Sequence, residues 1–207
     1  MPDLLSQLEP KERARLLEDL NYLNLQEIRS FCTPRGIPYR IVAEQEDGKL
    51  AATKDTDRKP VVLARLRHFL TTGEPGEATR ISARIVRKDA PPASPNAGDR
   101  LYYRWYAKEH GGVLSKLREL TDGVFSDGAV ARVLAMEFWT RGEAPTLAQF
   151  AEAWVKAKSD EHKLLTPEYA YLTDLQRNQA GSDWKQVRIA RARSALETLE
   201  RIGPVPG

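Results

Sequence analysis

Residues 23–38 read LNLQEIRSFCTPRGIP, and residues 58–66 read RKPVVLARL. Each has the spacing of one short helix. In the first, Asn24 is placed to cap, its side chain accepting a backbone N–H that the first turn leaves open. Leu25, Ile28, Phe31 and Cys32 then share a face. Pro34 and Gly36 end the run, because proline lacks the N–H and glycine accepts positive φ. In the second, Pro60 suits the first turn. Val62, Leu63, Leu66, Phe69 and Leu70 form its apolar face, and Gly73 lies just past its end. Between the two, Tyr39, Ile41 and Ala43 alternate with polar or smaller neighbours, and Asp47-Gly48 is a tight-turn dipeptide. The reading is a pair of helices separated by a β-hairpin inserted at residues 39–57.

Working outward, Leu4, Leu5 and Leu8, then Leu16, Leu17 and Leu20, have helical spacing with a fresh start near Pro10. Residues 80–88, RISARIVRK, alternate as a strand does. PPASPNAG at 91–98 makes no regular element and reads as a linker. From Asp99 the pattern is helical. LYYRWYAKEH (101–110), VLSKLREL (113–120), GAVARVLAMEFWTR ending at Gly142, and a helix opened by Thr146 are expected in turn. Another follows Thr166-Pro167. The longest, capped by Ser182, ends at Gly203 with Ile189, Ala192, Leu196, Leu199 and Ile202 on one stripe. The expected fold is mainly α: an N-terminal helical unit over 1–88 with the hairpin insertion, a linker at 89–98, and an all-helical domain at 99–203.

The 207 residues are 41% hydrophobic and 29% charged, the composition of a globular chain rather than a disordered one. No apolar run approaches the roughly 18 residues of a membrane span, and the charged N-terminus does not read as a secretory leader. A cytoplasmic protein without a membrane partner is expected, with association with a bacterial nucleoid open to it. The net charge of +3 and pI near 9.0 are mild. Their distribution says more. Residues 58–72 hold four cations, Arg58, Lys59, Arg65 and Arg67, and no acid; residues 177–193 hold five cations against Asp183.

The two quoted stretches together resemble the halves of a SAP domain, a small helix–turn–helix module. The first half carries the acidic-apolar-basic step Glu27-Ile28-Arg29, then Arg35-Gly36-Ile37-Pro38; the second carries Arg58-Lys59, Val62-Leu63 and Arg65-Leu66. The resemblance covers 25 of the 207 residues. It departs from the family at Pro34, where a helix former is usual, and in the insertion of Tyr39–Asp57, where the family has a short loop. Doubling a flexible loop costs only about 0.6 kcal/mol, so the insertion is compatible with the helical pair. The resemblance implies DNA binding, with RNA bound by some members. The residues it marks are Arg29, Arg35, Arg58, Lys59 and Arg65, and Arg67 extends the cationic surface beside them. Independently, Arg58 and Lys59 stand at a helix N-terminus, where free N–H groups and the dipole favour an anion. Such interactions are led by phosphate and choose sequence weakly. Lys185, Arg188 and Arg191, at i, i+3 and i+6, form a possible second basic patch.

Little else carries chemistry. His68, His110 and His162 lie in three segments without metal-ligand spacing, so no metal is expected. No nucleotide-binding glycine motif or nucleophile elbow occurs, so neither a cofactor nor an enzyme is expected. Cys32 lies on an apolar helix face and reads as core. Tyr102, Tyr103, Trp105 and Tyr106 are interleaved with Arg100, Arg104 and Lys108, a pattern that serves core packing, a protein partner, or bases stacked beside cations. The leading expectation is a non-enzymatic DNA-binding protein. The alternative is a protein-interaction or homo-oligomerising module in which the SAP-like pair is structural.

Overall fold

A computed structural model describes residues 3–106, 110–160 and 183–203. It is mainly helical with one small three-stranded sheet. The described helices are α1 (Pro10–Asp19), α2 (Leu25–Cys32), α3 (Lys59–Thr72), α4 (Gly111–Glu119), α5 (Ala129–Thr140), α6 (Leu147–Asp160) and α7 (Trp184–Ile202). The strands are β1 (Arg40–Glu44), β2 (Leu50–Thr56) and β3 (Arg80–Ile81), in the order β2-β1-β3. None of the described helices is long and apolar enough to cross a membrane.

The chain forms two compact units that are not contiguous in sequence. Of the described residues, 3–40, 55–78 and 183–203 make the first; 41–54, 79–106 and 110–160 make the second. This differs from a boundary at 89–98, and the difference has two causes. The last helix shares the core of the first unit: Ala192, Ala195, Leu199 and Ile202 of α7 are buried with Leu16, Leu20, Ile28, Phe31, Leu63 and Leu66. The inserted hairpin belongs to the second unit, because β1 pairs in parallel with β3, Val42 opposite Arg80 and Ala43 opposite Ile81.

In the first unit the local rules explain the helices. Asn24 Oδ1 accepts from Glu27 N at 2.8 Å, and Glu27 Oε2 accepts from Asn24 N at 2.7 Å, a complete capping box. Pro60 sits in the first turn of α3, and Gly73 closes it at φ +75°. Val62, Leu63, Leu66, Phe69 and Leu70 are all buried, as the spacing requires. The stripe on α7 begins one turn later than its sequence suggests: Ile189 is 50% exposed and the buried face starts at Ala192.

The second unit contains the larger departures. Residues 80–88 form only the short β3 and a 3-10 turn at Ala83–Ile85. Residues 101–106 are not helical. They run beside residue 85, with Tyr103 N donating to Ile85 O at 3.0 Å and Leu101 N to Pro145 O at 2.8 Å. The core here is aromatic: Tyr103 meets Trp139 edge-on at 5.4 Å, and Phe125 lies against Phe150 and Trp154. No side-chain cap opens α5, whose N-cap residue is Gly128. Thr146 does open α6, exchanging bonds with Gln149. The helix expected after Thr166-Pro167, and Ser182, lie outside the described residues.

The proline-rich stretch is packed rather than a free linker. Pro95 is buried, Asn96 N donates to Asp99 Oδ2 at 2.7 Å, and Ala148 N donates to Ala97 O at 2.9 Å. Gly112 lies so close to the Ala93 carbonyl that a Cβ there would collide with backbone. Gly112→Ala is therefore expected to lower stability by about 1–3 kcal/mol in urea unfolding. Asn24→Ala, which removes the α2 cap, is expected to cost about 1 kcal/mol.

Candidate nucleic-acid interface

The cations expected to gather beside the start of α3 are engaged separately. Lys59 is 4% exposed, and its Nζ donates to the Asn21 carbonyl at 2.5 Å. Arg67 donates to Asn21 Oδ1 at 2.7 Å. Arg65 Nη1 donates to Asp57 Oδ2 at 2.6 Å and to Pro38 O at 2.8 Å, with both charged side chains nearly buried. Arg29 donates to Thr56 Oγ1 at 2.7 Å and lies near the Tyr39 ring. Arg35 lies over the Phe31 ring at 3.7 Å and donates to the carbonyls of Phe31 and Gly203, at the end of α7. Arg58 flanks α3 as its N-cap residue and is half-buried. Thus Arg35 is directed to the end of α7, Lys59 and Arg67 to Asn21, and Arg65 to a buried carboxylate. Lys59 is thereby withdrawn from the surface, and Arg29, Arg35, Arg65 and Arg67 are each tied to partners within the first unit.

The second patch is divided in the same way. Arg188 pairs with Glu27 and donates from Nε to Tyr22 O at 2.9 Å. Arg191 pairs with Asp19 and, at 2.8 Å, with Glu18, and its guanidinium covers the Tyr22 ring. Lys185 is exposed. The i, i+3, i+6 stripe on α7 is therefore a fastening for two of its three members. Cys32, completely buried, has its thiol pushed up to about 12 by burial, opposed by Arg35 and Arg65. It is a core residue rather than a nucleophile.

The second unit holds its cations differently. Arg84, Arg87 and Arg100 are exposed. Arg84 Nε donates to Gly142 O at 3.2 Å, and Arg100 Nη1 to Ala144 O at 2.8 Å. Arg87 lies over the Tyr102 ring at 4.5 Å and donates to its hydroxyl at 3.3 Å. The atoms that accept these hydrogen bonds are neutral, and at Arg87 the carboxylates of Asp89 and Glu46 also lie near enough to favour its charge after the Tyr102 contact. A guanidinium bonded to a carbonyl or lying on an aromatic ring is oriented and keeps its net charge, whereas one paired with a buried carboxylate adds little to the outward field.

Two grooves adjoin at the Arg87–Tyr102 stack. One, about 670 Å³, is lined by Arg84, Arg100, Tyr102, Phe138 and the Gly142–Pro145 turn. The other, about 560 Å³, is lined by β1, β2, residues 86–90, Tyr103, Arg104, Trp105 and His110. Of the four aromatic residues at 102–106, Tyr102 and Trp105 are half-exposed beside these cations, whereas Tyr103 is buried and Tyr106 packs on Phe125 and Phe150. Lys108 lies outside the described residues. The contribution of Arg84, Arg87 and Lys88 was missed in the sequence. Its signal was there in RIVRK, three cations in five residues without an acid, but a two-residue strand and a 3-10 turn leave no periodicity to mark the exposed face.

No family model, curated protein or solved structure matches the chain.

Removing one side of the buried pair leaves an unpaired charge, so Asp57→Ala is expected to destabilise the chain by about 3–5 kcal/mol. For Cys32 the sign follows from its raised value: the folded state favours the neutral thiol, and the resulting stability is intact below pH 9 and declines as pH climbs toward 12. The stability difference between the native chain and Cys32→Ala should therefore shrink above pH 9 in urea titrations.

Proposed function

We propose that this chain is a non-enzymatic nucleic-acid-binding protein, led by phosphate interactions and weakly sequence-specific, working in the bacterial cytoplasm or at its nucleoid. DNA is the first candidate and RNA the second. The observation that carries the reading is the set of exposed guanidinium groups, Arg84, Arg87 and Arg100, whose hydrogen-bond acceptors are carbonyl oxygens and a tyrosine hydroxyl. Their charge is free to meet phosphate, and the overall pI near 9.0 is compatible with such a partner. The helical pair that resembles a SAP module is, in this reading, chiefly the body of the first unit, since Arg65, Arg188 and Arg191 are committed to its own acids. Lys185, exposed on α7, is a secondary phosphate ligand in this reading.

A second reading, a protein-binding or self-associating module, is supported by Val187 and Ile189 of α7, which are 46% and 50% exposed. Light scattering at several concentrations separates the two. A stable oligomer with no salt-dependent nucleic-acid binding favours the second.

The first reading predicts that log K for DNA falls linearly with log salt. Replacing Arg84, Arg87 and Arg100 together by Ala should reduce the steepness by about 0.7–0.9 for each phosphate that the variant leaves without its cation. Replacing Arg65 should leave that slope unchanged in protein that remains folded. A slope indifferent to the triple substitution sinks the proposed surface.

A further inference from the structure

The 560 Å³ groove has features that a simple phosphate-attracting surface does not need. Its lining brings Lys54 of β2 together with Arg87, Lys88, Arg104, Trp105 and His110. Small side chains, Ala43, Ala51, Ala52 and Ala90, leave room between them. Trp105 is half-exposed and fixed at three points. Its Nε1 donates to Asp89 O at 3.2 Å, its backbone N donates to Tyr102 O at 3.0 Å, and its ring meets Tyr102 edge-on at 5.0 Å. An indole held in this way is pre-ordered, so a planar ligand does not have to immobilise it.

The neighbouring Arg104 supplies a separate observation. It is exposed, and its φ is +67°, a left-handed conformation that a residue with a Cβ seldom adopts. Among the described residues only Asp122 shares this property outside glycine. Buried Tyr103 on one side and anchored Trp105 on the other hold Arg104 there. Backbone strain of this kind clusters at ligand-binding sites. Lys88 is paired only loosely: it and Glu46 are each 86% exposed, a pairing that an incoming phosphate displaces easily.

We infer that this groove takes an unpaired nucleic-acid strand, with a base against Trp105 and the adjoining phosphates against Lys54, Arg87 and Arg104. This rests on the proposed function and narrows it. A base offers its face to an aromatic side chain only when it is not stacked within a duplex, so an indole in a cationic groove selects single strands. The volume lies in the range of pockets that hold a ligand of nucleotide size. Stacking is tolerant of base identity, which agrees with weak sequence choice.

The test uses the full chain and three fluorescent probes of equal length: oligothymidylate, oligouridylate and a mixed-sequence duplex. Binding is followed by anisotropy, with free thymidine monophosphate as competitor. The expected result is about tenfold or greater preference for one or both single strands over duplex. Trp105→Ala and Arg104→Gly should each remove most of that preference while leaving duplex binding in place, and thymidine monophosphate should compete only weakly. Glycine is favoured at φ +67°, so Arg104→Gly preserves the backbone and separates loss of the guanidinium from loss of the fold. Lys54→Ala, at an exposed strand position, provides a second variant that retains packing and should weaken single-strand binding alone. Equal affinity for single strand and duplex, unmoved by these substitutions, overturns the groove and leaves the broader proposal standing. Complete competition by thymidine monophosphate at equal concentration also overturns it, in favour of a mononucleotide site. Absence of binding to every probe at low salt overturns both.

Discussion

Asp19 lies at the C-terminal end of α1 with no solvent exposure. A carboxylate in that position is costly unless cations reach it. Arg191 pairs with it from α7, 172 residues further along the chain, and Arg15 approaches its other oxygen at 3.5 Å. Arg188, three residues earlier on α7, pairs with Glu27, which is itself occupied in capping α2. The last helix is thus fastened to the first two by buried or half-buried charge, above an apolar seam of Ala192, Ala195, Leu199 and Ile202. Much of what looks like a basic surface in the sequence is consumed in making that junction.

Exposure distinguishes the arginines singled out in the two units. In the first, Arg65, Arg188 and Arg191 meet carboxylates, whereas Arg29, Arg35, Lys59 and Arg67 donate to uncharged oxygens but are buried or half-buried. In the second, Arg84, Arg87 and Arg100 are aimed by neutral groups and retain their charge at the surface. Basic residues in a sequence therefore predict an electropositive face only after their partners are known. Number and spacing are shared by both kinds of segment; burial and partners are not.

The insertion that divides the helical pair also has a structural reason. Residues 40–56 provide β1 and β2, and β1 supplies the partner for β3. Ile41 and Ala43 of β1 enter the core that contains Ile81, Ile85 and Leu101. Without the insertion, the two-residue β3 would have no strand to pair with. The hairpin is therefore a component of the second unit, encoded within the first.

Local signals sufficed wherever an element is stabilised by neighbours in sequence. Asn24, Pro60, Gly73, and the buried set from Val62 to Leu70 marked α2 and α3, because caps and 3.6-residue periodicity act within a few turns. The hairpin turn was legible in Asp47-Gly48 for the same reason, Gly48 adopting φ +78°. Residues 101–106 misled, since their apolar pattern suits a helix but Tyr103 and Leu101 are held by Ile85 and Pro145 across the fold. By itself the sequence determined the helical character of the chain, the bounds of its best-capped helices and the turn between β1 and β2. Only tertiary structure decided that α7 completes the first unit and which arginines keep an outward charge, because those outcomes depend on carboxylates and carbonyls that chain folding brings from distant positions.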